Sequence, residues 1–420
     1  MISIIFKNPP IFIILLTNLI SGIAQGLTVI IIPWYFTDTL NTSSTFSLFY
    51  GILTFIGLFW GLYAGVIIDN FNRKNILLMI NLISSIIFGF IALAISHFSA
   101  EIKYCALLAF GCCSLYYTIF FPNLYALVQE IINKKHYIKI NSILEIQLQI
   151  TSIIAAITCA VLMSNLQINN VLGVEIDLKI EKWELSSIFL INSIMYLVST
   201  FLVFFLNYKK PKIKKFNIFN TLSDIKKGGV YLKNHPDITV YGICSQIIFA
   251  FLIVELFALL PTFVKSCLNG SIIMFSLADL TYAIGAIISG LILSKVIKQV
   301  NTILATLIFI LITGYSFWMM IAFHNVFIFF ISTLIIGMTN AGTRIIRMTY
   351  LLNKVPNNII GRINTIFNGI NTIIRSILIM IFAIPWFTYN QNVITGYRIG
   401  VLILIVFIVP LIWQYNQKKV

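Results

Sequence analysis

The chain has 420 residues, 59% of them hydrophobic and 10% charged, with a mean hydropathy of +0.98 and a formal net charge of +15. Soluble domains hold about 45–50% apolar residues, so this composition excludes a soluble globular protein and predicts an integral membrane protein with no sizeable soluble domain. The basic residues are shared among many short loops, which argues against nucleic-acid binding.

An apolar stretch of about 18 or more residues crosses ~30 Å of hydrocarbon as a helix rising 1.5 Å per residue. In chain order such stretches cover 11–36, 46–68, 75–97, 104–131, 141–164, 185–207, 238–263, 271–294, 301–323, 325–350, 360–387 and 396–414. Runs such as ILLMINLISSIIFGFIALAI do not alternate as the strands of a membrane barrel would. The fold class predicted is an all-α membrane protein of twelve transmembrane helices. No small-residue cleavage site follows a short apolar core in the first span, so it is expected to be a retained helix.

One face of this topology receives 22 of the 28 Lys and Arg residues and the other face five, with Arg375 left inside a span. The positive-inside rule then places both termini in the cytoplasm. The segment 208–237 is basic and carries Pro211, Gly228 and Gly229, as expected of a cytoplasmic linker between an N-terminal half, 1–207, and a C-terminal half, 238–420. Its lysines either lie against anionic headgroups or are simply solvated. The loop 166–184 is acidic and is expected outside.

The halves echo each other. Gly65, Asp69 and Arg73 follow span 2 with the spacing G-x3-D-x3-R, and Gly290, Ser294 and Lys298 follow span 8 with the same spacing, 225 residues on. Lys139-Ile-Asn-Ser142 and Arg362-Ile-Asn-Thr365 open spans 5 and 11 in the same way. Internal symmetry of this kind is a signature of secondary transporters.

The stretch GVIIDNFNRK, 65–74, resembles the loop signature of the major facilitator superfamily, and twelve spans with a basic central linker match that family over the whole chain. Asn70 stands for the usual basic residue and Asn72 for the usual glycine, with Asn expected to supply the left-handed backbone of the turn. The resemblance implies a two-half transporter whose conformational gate includes Gly65, Asp69, Arg73, Lys74, Glu130 and Gly361. In it Asp69 faces the dipole at the Gly361 end of span 11, and Arg73 pairs with Glu130. The plainer alternative is that Asp69, Arg73 and Lys74 only terminate span 2. Pro122, Ala126, Leu127, Asn141, Ser142, Gln147 and Gln149 resemble the macrolide and siderophore exporter-like branch. Span 4 lacks a mid-span arginine and span 5 lacks the Gly-Pro antiporter motif of proton-coupled drug exporters.

Charges inside a bilayer cost at least ~2.5–3.5 kcal/mol and mark a task or a partner. Glu255, Asp279 and Arg375 fall at similar depth and are candidates either for binding a coupling proton or for a static cluster. The family implies that spans 1, 4, 7 and 10 line the substrate cavity, which points to Asn18, Gln25, Tyr116, Tyr117, Asn123, Gln246 and Asn340. Interhelical hydrogen bonding is the alternative role for each. Gly22, Gly26, Gly337 and Gly342 are expected to allow close helix approach.

Four scattered histidines and six unpaired cysteines give neither a metal site nor disulfides, and nothing suggests an enzyme or a cofactor. The expected function is secondary active transport of a small organic solute by a monomer in a bacterial inner membrane. A proton or another ion is the coupling species, and membrane lipid is a partner. Export follows the resemblance; metabolite uptake, lysophospholipid flipping and a non-transporting receptor or scaffold are the alternatives.

Overall fold

The computed structural model describes residues 8–98, 101–132, 137–171, 174–208, 218–296, 301–356 and 359–417. Among them are twelve helical stretches long and apolar enough to span a membrane. The first six are single helices: α1 (Pro9–Asp38), α2 (Ser43–Asn70), α3 (Arg73–Phe98), α4 (Ile102–Ile131), α5 (Tyr137–Leu162) and α6 (Leu185–Phe204). The acidic loop before α6 contains an antiparallel pair, β1 (Leu166–Val171) and β2 (Val174–Ile180), with Leu166 opposite Ile180.

The segment expected to be a plain linker carries a helix, α7 (Ile218–Asn234). Gly228 explains its placement: a Cβ there would come within 2.9 Å of Ile366 Cδ1 and 3.2 Å of Arg362 Cβ, so α7 lies tightly on the eleventh span. The seventh span, Pro236–Ser266, is broken into α8 (Pro236–Cys244), α9 (Ile247–Val254), a π turn over Glu255–Leu259, and α10 (Leu260–Ser266). Proline accounts for the π turn. Pro261 has no N–H to offer Phe257, and the chain takes a wider turn in which Leu260 N–H reaches Glu255 O instead. The remaining spans are α11 (Ile272–Val296), α12 (Thr302–Phe323), α13 (Val326–Lys354), α14 (Ile360–Phe382) and, after the short α15 (Pro385–Thr388), α16 (Val393–Gln417).

Two compact units result, one of Met1–Leu40 with Phe59–Phe216 and one of Asn41–Leu58 with Asn217–Val420. In the first, a Cβ at Gly22 would lie 2.7 Å from Thr151 Cγ2 and one at Gly26 2.5 Å from Ala155 Cβ, so α1 and α5 approach closely. Its core holds a ring cluster in which Tyr196 lies 5.1 Å from Tyr116 and 5.6 Å from Phe88. The second unit packs Phe251, Phe263, Phe317 and Tyr397 into another. It also takes in the N-terminal half of α2, where Ser376 Oγ donates to Gly51 O at 2.9 Å and Tyr50 meets Phe257 at 4.3 Å.

Candidate functional site

The loop between α2 and α3 is built around Asn72. Its side chain accepts from Lys74 N–H at 2.9 Å and from Asn75 N–H at 3.4 Å, capping α3. Left-handed backbone is not used here, contrary to expectation: the described non-glycine residues with positive φ are Asn41, Asn269 and His324. A cap needs only extended backbone and a short acceptor, which is why Asn serves where the family pattern has glycine.

Asn72 so placed fixes the next two residues. Arg73 Nε lies 3.2 Å from Glu130 Oε1, joining the start of α3 to the end of α4. Asn123 Nδ2 donates to Arg73 O at 2.9 Å, and the Tyr208 hydroxyl donates to Glu130 Oε2. Burial, and then the Glu130 carboxylate, push the Tyr208 phenol up from its ordinary value, so it stays a donor at neutral pH. Lys74 Nζ reaches Phe204 O at 2.9 Å. The Asp69 side chain, and with it the expected approach to Gly361, lies outside the described residues. Gly65 and Gly361 are open, with nothing within 4 Å of an added Cβ.

In the second unit Glu255 opens the π turn and is 5% exposed. The Tyr397 hydroxyl donates to its Oε1 at 2.8 Å. Glu255, Asp279, Tyr282 and Thr333 line one cavity of about 50 Å3 between the seventh span, α11 and α13. Asn340 Nδ2 donates to the Tyr282 hydroxyl at 2.6 Å, linking a candidate substrate residue to that cavity.

Arg375 is not among the residues lining it. Its guanidinium sits 5.5 Å from the Phe249 ring centre and donates to Thr372 Oγ1, and its buried Nε has no hydrogen-bond partner. Phe249 precedes Glu255 by six residues, about 9 Å along a helix. Depth counted from span ends put the three charges level. The packing of α14 beside α9 does not, because Asn371, one turn before Arg375, already meets the break in span 7 at Gln246 O.

The remaining cavity candidates divide. Asn18 is buried and donates to Gln147 Oε1 at 2.9 Å; Tyr116 donates to Asn81 Oδ1 at 2.9 Å; Asn123 is fully buried. Gln25 and Gln246 are buried, and their backbone carbonyls accept from Cys113 Sγ and Asn371 Nδ2. Tyr117 is half exposed, packed on Phe121. Tyr397, Tyr282 and Tyr208 were not singled out by the sequence reading, nor was the role of Arg347, whose Nη1 donates to Ser245 O at the break in span 7. Tyr282 and Tyr397, which lie within spans, carried one available signal, a hydroxyl that needs a partner when buried.

No curated protein sequence matches the chain significantly. Among solved structures, a bacterial homologue of the human lysosomal transporter Spinster, inward-facing and occupied, superposes with a TM-score of 0.71 at 14% identity over 96% of both chains. The nucleoside transporter NupG, in a mutant form, gives 0.66 at 15% identity over 98% of this chain and 99% of its own. A bacterial homologue of the iron transporter ferroportin, inward-facing, gives 0.67 at 13% identity over 95% and 98%. These likenesses carry the fold, and the sequence profile of the Major Facilitator Superfamily covers residues 14–379. The chain therefore belongs to the Major Facilitator Superfamily, a family of membrane transporters and not of enzymes.

Proposed function

We propose that this transporter moves a small organic solute outward across a bacterial inner membrane by alternating access, both termini in the cytoplasm, with a proton entering at Glu255 or Asp279 as the coupling species. The observation that carries the coupling role is the cavity these two acids share beside the Tyr282–Asn340 hydrogen bond. Glu255, held by the Tyr397 hydroxyl in an apolar span, is costly to keep charged, and protonation relieves that cost. Asn340 gives the solute a route to influence that step. The outward direction rests on the exporter-like pattern of Pro122, Ala126, Leu127, Asn141, Ser142, Gln147 and Gln149. The halves 1–207 and 238–420 supply the two moving parts.

Reconstituted vesicles test this. Glu255→Gln and Asp279→Asn are each compared with wild type for accumulation driven by a pH gradient and for downhill exchange of the same solute. Loss of accumulation with exchange retained, in at least one variant, supports the reading. Gradient-driven accumulation that survives the double substitution removes it.

A further inference from the structure

The π turn in span 7 does more than widen the helix. Leu260 N–H is taken by Glu255 O and Pro261 has no N–H, so Leu256 O receives neither the α-helical nor the π-helical donor. A carbonyl left so within an apolar span calls for another partner. Leu256 lines the cavity that Glu255, Asp279, Tyr282 and Thr333 also line. Glu255 is 5% exposed, and among the described residues only its Oε1 has a donor, which leaves Oε2 to the cavity.

Two walls of this cavity are rigid. A Cβ added at Gly285 would lie 2.0 Å from Leu334 O, and one at Gly337 2.1 Å from Tyr282 O, so the backbones of α11 and α13 touch beside it. Thr281 and Thr333 join the same two helices through hydroxyls 2.6 Å apart, and Asn340 Nδ2 orients the Tyr282 hydroxyl. Leu252, Leu260, Ala278 and Ile336 complete the lining. At about 50 Å3 the cavity is far below the ~300–1,000 Å3 of organic-ligand sites and has room for an ion with about one water.

The polar groups gathered there are oxygens, two of them carboxylates, and oxygen donors without nitrogen or sulfur select a hard cation. Magnesium keeps several waters, which a cavity of this size does not admit. Among the described residues no group of three or more His, Cys, Asp and Glu is assembled to hold a metal ion. Sodium needs fewer charged ligands, and carbonyls freed where a span is interrupted coordinate it in other transporters.

We propose that the cavity between span 7, α11 and α13 binds one sodium ion through Glu255, Asp279, Tyr282, Thr333 and the Leu256 carbonyl. The inference rests on the coupling role proposed for this cavity and adds a second cation that alternates with the proton there. The titratable groups about Glu255 are Asp279 and Tyr282 on α11 and Tyr397 on α16, with Arg344 of α13 in electrostatic reach of Tyr282. Two acids against one arginine leave the site attractive to a cation, and sodium and protons compete for the same carboxylates.

Radioactive sodium binding to the purified full-length protein in detergent tests this, with choline holding the ionic strength constant. Wild type is expected to bind one saturable equivalent, with an affinity that falls at acid pH by up to about ten-fold per unit as one proton competes. Asp279→Asn should abolish binding. Pro261→Ala, which keeps both acids and returns an N–H to the turn, should weaken it about five-fold, the worth of one neutral ligand oxygen. Wild type without saturable sodium, calcium displacing sodium at lower concentration than sodium itself, or affinity unchanged in both variants overturns the proposal. If wild type binds no sodium while Glu255→Gln loses pH-driven accumulation, proton coupling stands and this inference alone falls. If sodium binds here while accumulation survives the double acid substitution, the coupling reading alone falls.

Discussion

Tyr397, on α16, donates its hydroxyl to Glu255 Oε1 at 2.8 Å, and Glu255 is the first residue of the π turn. The widest part of the broken seventh span is thus tied to the last span through a side chain whose charge can change. The tyrosine ring is itself wedged between Phe263 and Phe317 at 5.1 and 5.7 Å, so the hydroxyl is held in place.

Tyr397→Phe should keep the ring packing and remove only the donor. A buried carboxylate that loses its hydrogen bond costs about 1–3 kcal/mol when charged. The variant is therefore expected to leave the charged Glu255 without its donor and to couple poorly. Accumulation driven by a pH gradient should fall several-fold, while downhill exchange stays close to wild type. Equal loss of both in vesicles would mean that the hydroxyl supports the fold rather than coupling.

Arg375 and Glu255 should behave independently. Arg375 rests on Phe249, six residues before Glu255 and about 9 Å from it along span 7, and the two charges share no partner among the described residues, a situation in which effects on stability add within about 0.5 kcal/mol. Arg375→Ala leaves the Phe249 face uncovered, and adding Glu255→Gln should restore none of the loss in thermal stability measured in detergent. Rescue by the double variant would show that the two charges interact.

At Gly337 packing alone is at stake. A methyl group 2.1 Å from Tyr282 O cannot be accommodated by a side-chain rotation, because the obstacle is backbone. Gly337→Ala must separate α11 from α13 at a cost of about 1–3 kcal/mol. Gly65→Ala, with open space around it, should cost under about 1 kcal/mol and gains helix propensity. Unfolding curves in detergent for the two variants should differ accordingly.

The spans were legible because each is a long apolar run, and Arg73 and Glu130 were legible through the loop pattern at 65–74. What sequence did not disclose depends on angular position about helices. Asn18, Tyr116 and Asn123 look alike as polar groups in apolar spans, and nothing in the run tells that all three donate to neighbouring helices. The π turn has a local cause in Pro261. Its effect, bringing Glu255 to Tyr397, requires knowing what packs opposite, 142 residues away. Arg375 was misplaced in depth because span ends do not reveal the stagger between α14 and α9. The helix α7 was hidden by lysines and glycines that serve its two faces, Gly228 against Arg362 and Ile366, Lys226 and Lys227 exposed.

At the α2–α3 loop geometry and gating are separable. Arg73 and Glu130 are each about one-fifth exposed, and a pair so placed contributes roughly 0.2–1 kcal/mol to stability. Arg73→Ala and Glu130→Gln should therefore insert and fold near wild-type levels, and a double-mutant cycle in detergent should return a coupling below about 1 kcal/mol. Transport is expected to respond more than stability does. The pair joins α3 to α4, Tyr208 extends it to the residues after α6, and Asn72 fixes the start of α3, so one contact orders three helix ends. Asp69→Asn, in the same loop, should lower transport rates while leaving abundance intact. If Arg73→Ala, Glu130→Gln and Asp69→Asn all transport at wild-type rates in vesicles, the loop serves topology and helix capping alone.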